Sequence, residues 1–330
     1  MNIGAATVTE FRNGREVVPR GPGEPLTVVD LHTFLKMEIA PRQMILDPWL
    51  PSQGLAMLYG WRGRGKTFLA LSIAYAVASG GSILDWTAPQ PSKVLFLDGE
   101  MLAPALQERL SLITAGAERE PEPGMLNIIT PDLQKRSMPD LATVGGLAAL
   151  EEIIPSDTRL IILDSISSLV RGEGHENDGE SWQCVSEWAI AQRVAGRSVL
   201  FLHHSGKTGA QRGTSRREDF LDTVLALKAT TDHNPNTGAK FEIHIEKSRS
   251  LCREFVPVEA ELIQTEGAGV QWTFRTVETS VSERIFELAD SGMKAPEIAK
   301  ELGIGRATVY RHLAHRSEPR CVSSQCSKEH

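Results

Sequence analysis

The stretch LYGWRGRGKTFLAL, residues 58–71, constrains the fold of this 330-residue chain more than any other. It fits the pattern G-x-x-x-x-G-K-[ST], with Gly60, Gly65, Lys66 and Thr67 at the fixed positions. An apolar, strand-like run precedes the loop and a helical pattern follows it. The free backbone N–H groups of such a loop and the helix N-terminus surround the same point, where they favour phosphate oxygens. The pattern therefore predicts that a nucleoside triphosphate binds here.

The side chains of the loop indicate which ligands it holds. Lys66 places a cation on the β- and γ-phosphates, and the Thr67 hydroxyl completes the coordination of Mg²⁺. Arg62 and Arg64 fill variable positions, where they either add cations near the phosphates or meet an adjoining subunit. ATP and Mg²⁺ are the predicted ligands. The predicted nucleotide-binding residues are Gly60, Trp61, Arg62, Gly63, Arg64, Gly65, Lys66, Thr67 and Phe68.

Apolar, strand-like runs alternate with helical patterns from Leu55 to roughly Ala260. This alternation predicts a mostly parallel sheet that is covered on both faces. Two later runs, TVLALKA and KFEIHIEK, are joined by the turn-like TDHNPNTG and predict a hairpin that extends the sheet. The predicted strands are Leu55–Tyr59, Val94–Asp98, Met125–Ile129, Leu160–Asp164 and Val199–His203. The predicted helices are Thr67–Ala78, Ala103–Leu110, Thr143–Ile154 and Ser181–Ala195.

Acidic residues follow two of these strands, at the edge of the sheet where the phosphates lie. Asp164 ends the run RLIILD, where a carboxylate associated with Mg²⁺ is expected, although an acid there also serves as a helix N-cap. Glu100 follows the strand in KVLFLDGEM and is our candidate for polarising the water that attacks the γ-phosphate. Asp98 is its rival for this role. A solvated loop glutamate is the structural alternative.

A pair of histidines ends the run VLFLHH beside the nucleotide strand. A polar group there is placed to sense the γ-phosphate and to relay its loss into the loop that follows. Adjacent residues of a strand point to opposite faces, so His203 and His204 are poorly arranged to bind one metal ion together. We predict that one ring packs in the interior and that the other faces the site.

The bulk composition limits the class of protein. The net charge of −7 excludes a generally basic nucleic-acid coat, so any DNA contact must come from local patches of Lys and Arg. The four cysteines are scattered, as in proteins of a reducing compartment. The chain shows no signal-peptide pattern and no apolar run of bilayer length. These features predict a cytoplasmic protein without a membrane partner.

The order of the phosphate loop, DGE, LIILD, FLHHSGK and RGTS resembles the RecA-type ATPase core. Within it, the chain is most similar to RepA-type hexameric replicative helicases of plasmids and to DnaB-like helicases, over about residues 45–260. The resemblance implies an α/β fold with a RecA-like P-loop NTPase core. It also implies that Glu100 is the catalytic glutamate, that Asp164 is the second acidic motif, and that His204, with His203 as the alternative, is the phosphate-sensing position.

The same resemblance implies a shared site in a homo-oligomer, expected to be a hexamer. Arg212 in QRGTS and Lys247 and Arg249 in EKSRS match residues that reach a neighbour's nucleotide, where a cation supplied in trans stabilises developing charge. Contact of Arg212 and Arg249 with DNA or solvent is the alternative. Single-stranded DNA is expected in a central channel.

The loop RGEGHENDGES after Asp164 is acidic, whereas a loop that lines a DNA channel is expected to be neutral or basic. The channel contacts are therefore expected from the basic segment SGKTGAQRGTSRRED, through Lys207, Arg212, Arg216 and Arg217.

The segment SERIFELADSGMKAPEIAKELGIGRATVYRHL has a purely helical pattern, from Ser282 to about His312. Its first helix ends at Ser291-Gly292, its second runs from about Ala295 to Leu302, and its third starts near Arg306 after a short glycine turn. It resembles the helix-turn-helix of Hin-type serine recombinases. A three-helix unit that mediates protein contacts is the alternative. The predicted core is Ile285, Leu288, Ile298, Leu302, Ile304, Val309 and Leu313. The resemblance places Arg306, Thr308, Tyr310 and Arg311 at the major groove or phosphates of duplex DNA.

Near the N-terminus, VVDLHTFLKMEI predicts a short amphipathic helix. Asp30 is its expected N-cap, and Leu31, Phe34, Leu35 and Ile39 recur at helical spacing. This helix is expected to pack either on its own domain or on a neighbouring subunit.

We therefore predict four segments: an N-terminal arm with a short helix (1–44), a RecA-like ATPase domain (45–278), a small all-α helix-turn-helix DNA-binding domain (279–316) and a flexible tail (317–330). The expected function is that of an ATP-hydrolysing, DNA-stimulated motor of the helicase type in the replication of a plasmid, phage or integrated element. An ATP-switched oligomeric DNA-binding regulator without strand separation is the alternative. A small-molecule kinase is a third candidate, but it needs neither the basic loop nor the C-terminal module.

Overall fold

A computed structural model shows the arrangement of most of the chain. It describes residues 10–12, 15–17, 27–171, 179–205, 219–230, 238–249, 255–265, 267 and 269–315. The predicted contact residues Lys207, Arg212, Arg216 and Arg217 lie outside the described residues, as do the acidic loop at 172–178, the hairpin turn at 231–237 and the tail after residue 315. The chain divides into two compact units, Met1–Pro41 and Arg42–His330.

The described residues of the first unit form one pair of short strands, β1 (Glu10–Arg12) and β2 (Arg15–Val17), and one short helix, α1 (Leu31–Lys36). The predicted N-cap is confirmed, because the Asp30 carboxylate accepts the backbone N–H groups of His32 and Thr33 at 2.9 and 3.2 Å. Ile39 lies beyond the end of the helix, since the backbone is already extended at Met37.

The second unit contains the remaining elements. Its strands are β3 (Met44–Leu46), β4 (Leu50–Pro51), β5 (Leu55–Gly60), β6 (Ser82–Ile83), β7 (Trp86–Thr87), β8 (Val94–Asp98), β9 (Leu126–Ile129), β10 (Leu160–Asp164), β11 (Ser198–His204), β12 (Thr223–Lys228), β13 (Lys240–Ser248), β14 (Val258–Gln264) and β15 (Val270–Thr276). Its helices are α2 (Lys66–Ser79), α3 (Ala103–Gly116), α4 (Val144–Glu151), α5 (Ile166–Leu169), α6 (Gly179–Val194), α7 (Val277–Asp290), α8 (Ala295–Glu301) and α9 (Arg306–His315).

A nine-stranded sheet organises this unit, in the order β15-β14-β13-β12-β5-β11-β10-β8-β9. The six strands from β12 to β9 run parallel to one another, and β13, β14 and β15 extend the sheet beyond β12 in antiparallel fashion. The mostly parallel sheet and its hairpin extension β12–β13 are thus confirmed. The sequence pattern does not predict the strands β14 and β15, because the alternation of strand-like and helical runs ends near residue 260.

Both faces of the central strands are buried, as the continuous apolar runs indicate. In β10, Leu160 and Ile162 pack towards α2 and α3, whereas Ile161 and Leu163 pack towards α4, α5 and α6. The helix α2 is buried around almost its whole circumference, which explains why its sequence is apolar on all sides. No helix among the residues that the structure describes is long and apolar enough to cross a membrane.

The three C-terminal helices form a unit with its own small core. Ile285, Ile298 and Val309 are fully buried there, and every residue predicted for this core belongs to it. Gly303 ends the second helix with φ at +65°, as the glycine turn requires. The unit follows the sheet directly: Thr276 is the last residue of β15 and also caps α7.

A buried carboxylate fastens this three-helix unit to the sheet. Glu259 on β14 is 7% exposed. Its Oε1 accepts the Nε–H and an Nη2–H of Arg275 at 3.1 and 2.7 Å, and its Oε2 accepts the hydroxyl of Ser280 on α7 at 2.8 Å. Charge-assisted bonds to a buried carboxylate hold geometry well, so we expect α7 to keep a fixed position on the sheet.

Candidate nucleotide-binding site

The predicted site residues converge at one edge of the sheet. The parallel strands β5, β8, β10 and β11 all end there, with Asp164 beside Asp98 and His204 beside Gly60. A cavity of about 620 Å³ opens at this edge. It is lined by Arg62, Gly63, Gly65, Lys66, Thr67, Phe68, Glu100, Met101, Arg109, Asp164, His204, Gly238, Ala239 and Leu262.

The phosphate loop requires glycine at the start of α2. Gly65 has φ at +89°, and a Cβ there would lie 2.2 Å from the Cβ of Ala239. Lys66 follows it and is 4% exposed, with its Nζ donating to the carbonyl oxygens of Gly60 and Trp61 at 2.9 and 2.8 Å. Burial lowers the pKa of Lys66 to about 8, and the nearby carboxylates oppose this shift. A triphosphate would stabilise the charged form of this lysine.

Asp164 lies at the end of β10 with only 4% of its surface exposed. Burial raises the pKa of Asp164 to about 6, partly offset by the hydrogen bond from the Thr67 hydroxyl. Its Oδ2 is buried and has no hydrogen-bond partner among the described residues. An unpaired buried carboxylate oxygen beside a hydroxyl is a fitting pair of ligands for a hard cation, so Thr67 and Asp164 fit a Mg²⁺ ion.

Glu100 faces the cavity and is held by two donors. Its Oε1 accepts the hydroxyl of Ser165 at 2.5 Å and lies 3.2 Å from Nε2 of His204. The hydrogen bond from His204, together with that from Ser165, lowers the pKa of Glu100 to about 2. Its side chain is therefore ionised at neutral pH. Asp98 is fully buried instead and accepts the backbone N–H of Met101 at 3.0 Å, so it holds the loop and does not line the cavity.

The two histidines differ in position. His203 is fully buried and does not line the cavity, whereas His204 does. This difference follows from the alternation of side chains along β11. His204 therefore lines the cavity close to the point where the chain continues, through residue 205, into the segment predicted to contact DNA.

Sequence reasoning missed several residues of the site. Arg109 on α3 lines the cavity, with its guanidinium carbon 5.1 Å from the centroid of the Phe68 ring. Burial lowers its pKa, and the charges of Asp164 and Asp98 oppose that shift. Ser165 holds Glu100. An arginine on a helix or a serine between a strand and a helix carries no local signal, because both residue types are usually solvated.

Some predicted residues lie away from this cavity. Arg64 does not line it, and Gly60 and Trp61 contribute carbonyl oxygens to Lys66 and do not line it either. Arg249 is near the opposite edge of the sheet, where its Nη2 donates to the carbonyl oxygen of Asp219 at 2.6 Å.

The register of the strands shows how far Lys247 and Arg249 are from the loop. Ser248 pairs with Thr223, which pairs with Ala56 near the start of β5. The phosphate loop follows the other end of β5, four residues and about 13 Å further on. Neither residue lines its own chain's cavity.

The third C-terminal helix, α9, presents its predicted contact residues. Arg306, Tyr310 and Arg311 are exposed, and Thr308 is half-buried. Tyr310 is 56% exposed, although its neighbour Val309 is fully buried, so the tyrosine side chain lies on the outer face of α9.

The fold and the phosphate loop define the class: a P-loop nucleoside-triphosphatase with a RecA-like fold and a C-terminal helix-turn-helix domain. The family model for the AAA domain matches residues 22–210, more than half of the chain, so the chain belongs to this family. The model for the helix-turn-helix domain of resolvase matches residues 279–316.

Two solved structures are similar to this chain. A KaiC-like protein from the hyperthermophilic archaeon Pyrococcus horikoshii OT3 has 16% identity and a TM-score of 0.50, over 68% of this chain and 91% of that chain. The RadB recombinase has 17% identity and a TM-score of 0.43, over 66% of this chain and 90% of that chain. The likeness to the KaiC-like protein shows the fold.

Proposed function

We propose that this protein hydrolyses ATP with Mg²⁺ and acts on DNA as a helicase-type motor in the replication of a plasmid, phage or integrated element. The observation that carries the proposal is the position of Glu100. This ionised carboxylate lines the same cavity as Lys66, on the edge of the sheet where RecA-like folds bind phosphates. A carboxylate placed there orients the water that attacks the γ-phosphate.

The remaining residues have complementary tasks. Lys66 exchanges the carbonyl oxygens of Gly60 and Trp61 for phosphate oxygens when the nucleotide enters. Thr67 and Asp164 would hold Mg²⁺, which supplies neutralisation of the charge on the phosphates.

Release of Glu100 from His204 is the step that links hydrolysis to DNA. With a pKa of about 2, Glu100 is a poor proton acceptor while both donors remain in place. A shift of His204 would remove its hydrogen bond to Glu100, which lowers the pKa of Glu100 more than the hydrogen bond from Ser165 does. The pKa of Glu100 would then rise and the carboxylate would become a better proton acceptor. His204 is joined through residue 205 to the segment that carries Lys207, Arg212, Arg216 and Arg217. DNA held by that segment would therefore stimulate hydrolysis.

The proposal includes a ring of identical subunits, most simply a hexamer around single-stranded DNA. The distance of Lys247 and Arg249 from their own phosphate loop supports a role on a neighbour's nucleotide. On α9, Arg306, Thr308, Tyr310 and Arg311 would bind duplex DNA and position the assembly.

A second candidate function is an ATP-switched DNA-binding regulator that separates no strands. The direct run from β15 into α7, fastened at Glu259, favours it, because a fixed helix-turn-helix suits occupancy of one duplex site.

ATPase assays with and without single-stranded DNA, combined with a strand-displacement assay, separate the two functions. The motor requires hydrolysis that DNA stimulates strongly and measurable displacement, with Lys66→Ala as the inactive control. Slow hydrolysis that DNA does not change, together with sequence-specific duplex binding, would refute the motor and support the regulator. Measurement of the molar mass in solution, with and without ATP, tests the proposed number of subunits.

A further inference from the structure

The phosphate loop carries two arginines that the structure places differently. Arg62 is exposed at the mouth of the cavity and lines it together with Glu100 and Lys66. Arg64 is half-buried, does not line the cavity, and has a buried Nη1 without a hydrogen-bond partner among the described residues. Two neighbouring arginines of one loop are thus not equivalent, and Arg62 is the one free to meet a ligand.

The surroundings of Arg62 identify the end of the nucleotide that it would meet. Its charge acts on Glu100 and on Lys66, the two side chains assigned above to the γ-phosphate and its attacking water. Arg109 and Phe68 line the same cavity from α3 and α2. Arg62 therefore belongs with the group around the γ-phosphate.

The charges that line the cavity explain why a further cation at Arg62 would favour binding of a triphosphate. Among the described residues that line the cavity, Arg62 apart, there are two carboxylates, Glu100 and Asp164, and two cations, Lys66 and Arg109. A γ-phosphate bound at the position proposed above would add further negative charge near Glu100. A guanidinium offers a rigid fork of donors that matches phosphate oxygens, keeps its charge at any physiological pH, and can reach inwards from an exposed loop position.

We propose that Arg62 binds the γ-phosphate in cis, so that this chain distinguishes ATP from ADP through an arginine of its own phosphate loop. The inference rests on the proposed ATPase function and names one more residue that would contact the substrate. Of the two roles that the sequence allowed for Arg62, this one is favoured because the residue lines its own chain's cavity.

The test compares the affinity of the full-length protein with Mg²⁺ for two fluorescent nucleotides, a non-hydrolysable ATP analogue and ADP. Arg62→Ala should weaken binding of the ATP analogue by about 10- to 100-fold, the range for a hydrogen bond between charged groups, and leave ADP binding unchanged. Arg62→Lys should recover part of the loss, because it keeps the charge and loses the fork. Arg136→Ala, which removes an exposed arginine outside the cavity, is the matched control.

Two outcomes of the affinity comparison would overturn the assignment. An equal loss for both nucleotides would place Arg62 at the α- and β-phosphates or in the support of the fold, and no loss for either would place it in solvent. A mixing experiment tests the cis geometry. Arg62→Ala subunits mixed with Lys66→Ala subunits should not recover hydrolysis, whereas recovery would mean that Arg62 serves a neighbour's site. A wild-type protein that binds neither nucleotide would refute the proposed function itself. Nucleotide binding without hydrolysis would refute the proposed ATPase activity and leave the role of Arg62 open to test, since the affinity comparison does not require hydrolysis.

Discussion

Glu100→Gln separates the role of this carboxylate in chemistry from any role in structure. Glutamine has the same shape, and its Oε1 can still accept the hydroxyl of Ser165 and a proton on Nε2 of His204, the two contacts seen at 2.5 and 3.2 Å. The substitution therefore removes the negative charge and the ability to accept a proton, and it leaves the hydrogen-bond geometry in place.

The expected loss follows from the task assigned to Glu100. A positioned general base contributes about 10²- to 10⁴-fold to the rate, so kcat should fall by that factor, or by about 3 to 5 kcal/mol in the activation free energy. ATP binding should be unchanged or tighter, because a carboxylate that is ionised at neutral pH no longer faces the γ-phosphate.

Phosphate release in a single-turnover assay measures the rate, and titration with a fluorescent ATP analogue measures binding. Glu122→Gln, an exposed glutamate between α3 and β9, is the matched control and should match the wild type in both assays. Turnover of the Glu100→Gln variant within about threefold of the wild type would refute the assignment, since it falls far short of the contribution of a general base. A parallel loss of ATP binding would instead show that Glu100 supports the loop.

The remaining predictions concern stability and DNA binding. Burial raises the pKa of Asp164 to about 6 from 3.8, so the metal-free native state is penalised above pH 6 and relieved as the pH falls towards 4. Asp164→Asn should therefore stabilise the metal-free protein by about 1 to 3 kcal/mol at pH 7.5 and by much less near pH 4, where the carboxyl group is mostly protonated in the native state. Thermal unfolding at both pH values in the presence of a chelator measures this difference, and a gain that is independent of pH would contradict it. Glu259→Gln should lower the free energy of unfolding by about 1 to 3 kcal/mol and should speed amide hydrogen exchange in α7–α9. The partly exposed Glu261→Gln is the control, and an equal effect of that variant would argue against a role of Glu259 in holding α7 on the sheet. Arg311→Ala should weaken duplex binding and reduce its salt dependence by about one counterion, measured by fluorescence anisotropy against salt; the same result from Arg284→Ala on α7 would count against α9 as the recognition helix.

Short-range pattern was sufficient for much of this molecule. Local sequence patterns predicted three features: the phosphate loop, the acids at the ends of β8 and β10, and the core of the three C-terminal helices. Each could be predicted because the end of a strand or the apolar face of a helix is defined by residues close together in sequence. The strands Val94–Asp98 and Leu160–Asp164 have the bounds that their apolar runs predict. The order of strands along a parallel sheet then brings Glu100, Asp164 and His204 to one edge.

Contacts between distant parts of the chain decided the rest. Gly65 must be glycine because Ala239, which directly precedes the strand β13 far along the chain, packs against it. The Nε1–H of Trp272 donates to the Ser72 hydroxyl at 3.0 Å, across 200 residues, and so helps to fix a strand that no local pattern marked. The choice between Arg62 and Arg64 was equally invisible in the sequence, since both are arginines of one loop. Sequence alone thus determined the phosphate site and the class of fold. The tertiary structure decided which side chains surround the site, because the burial and direction of a side chain depend on contacts with segments that are distant in sequence.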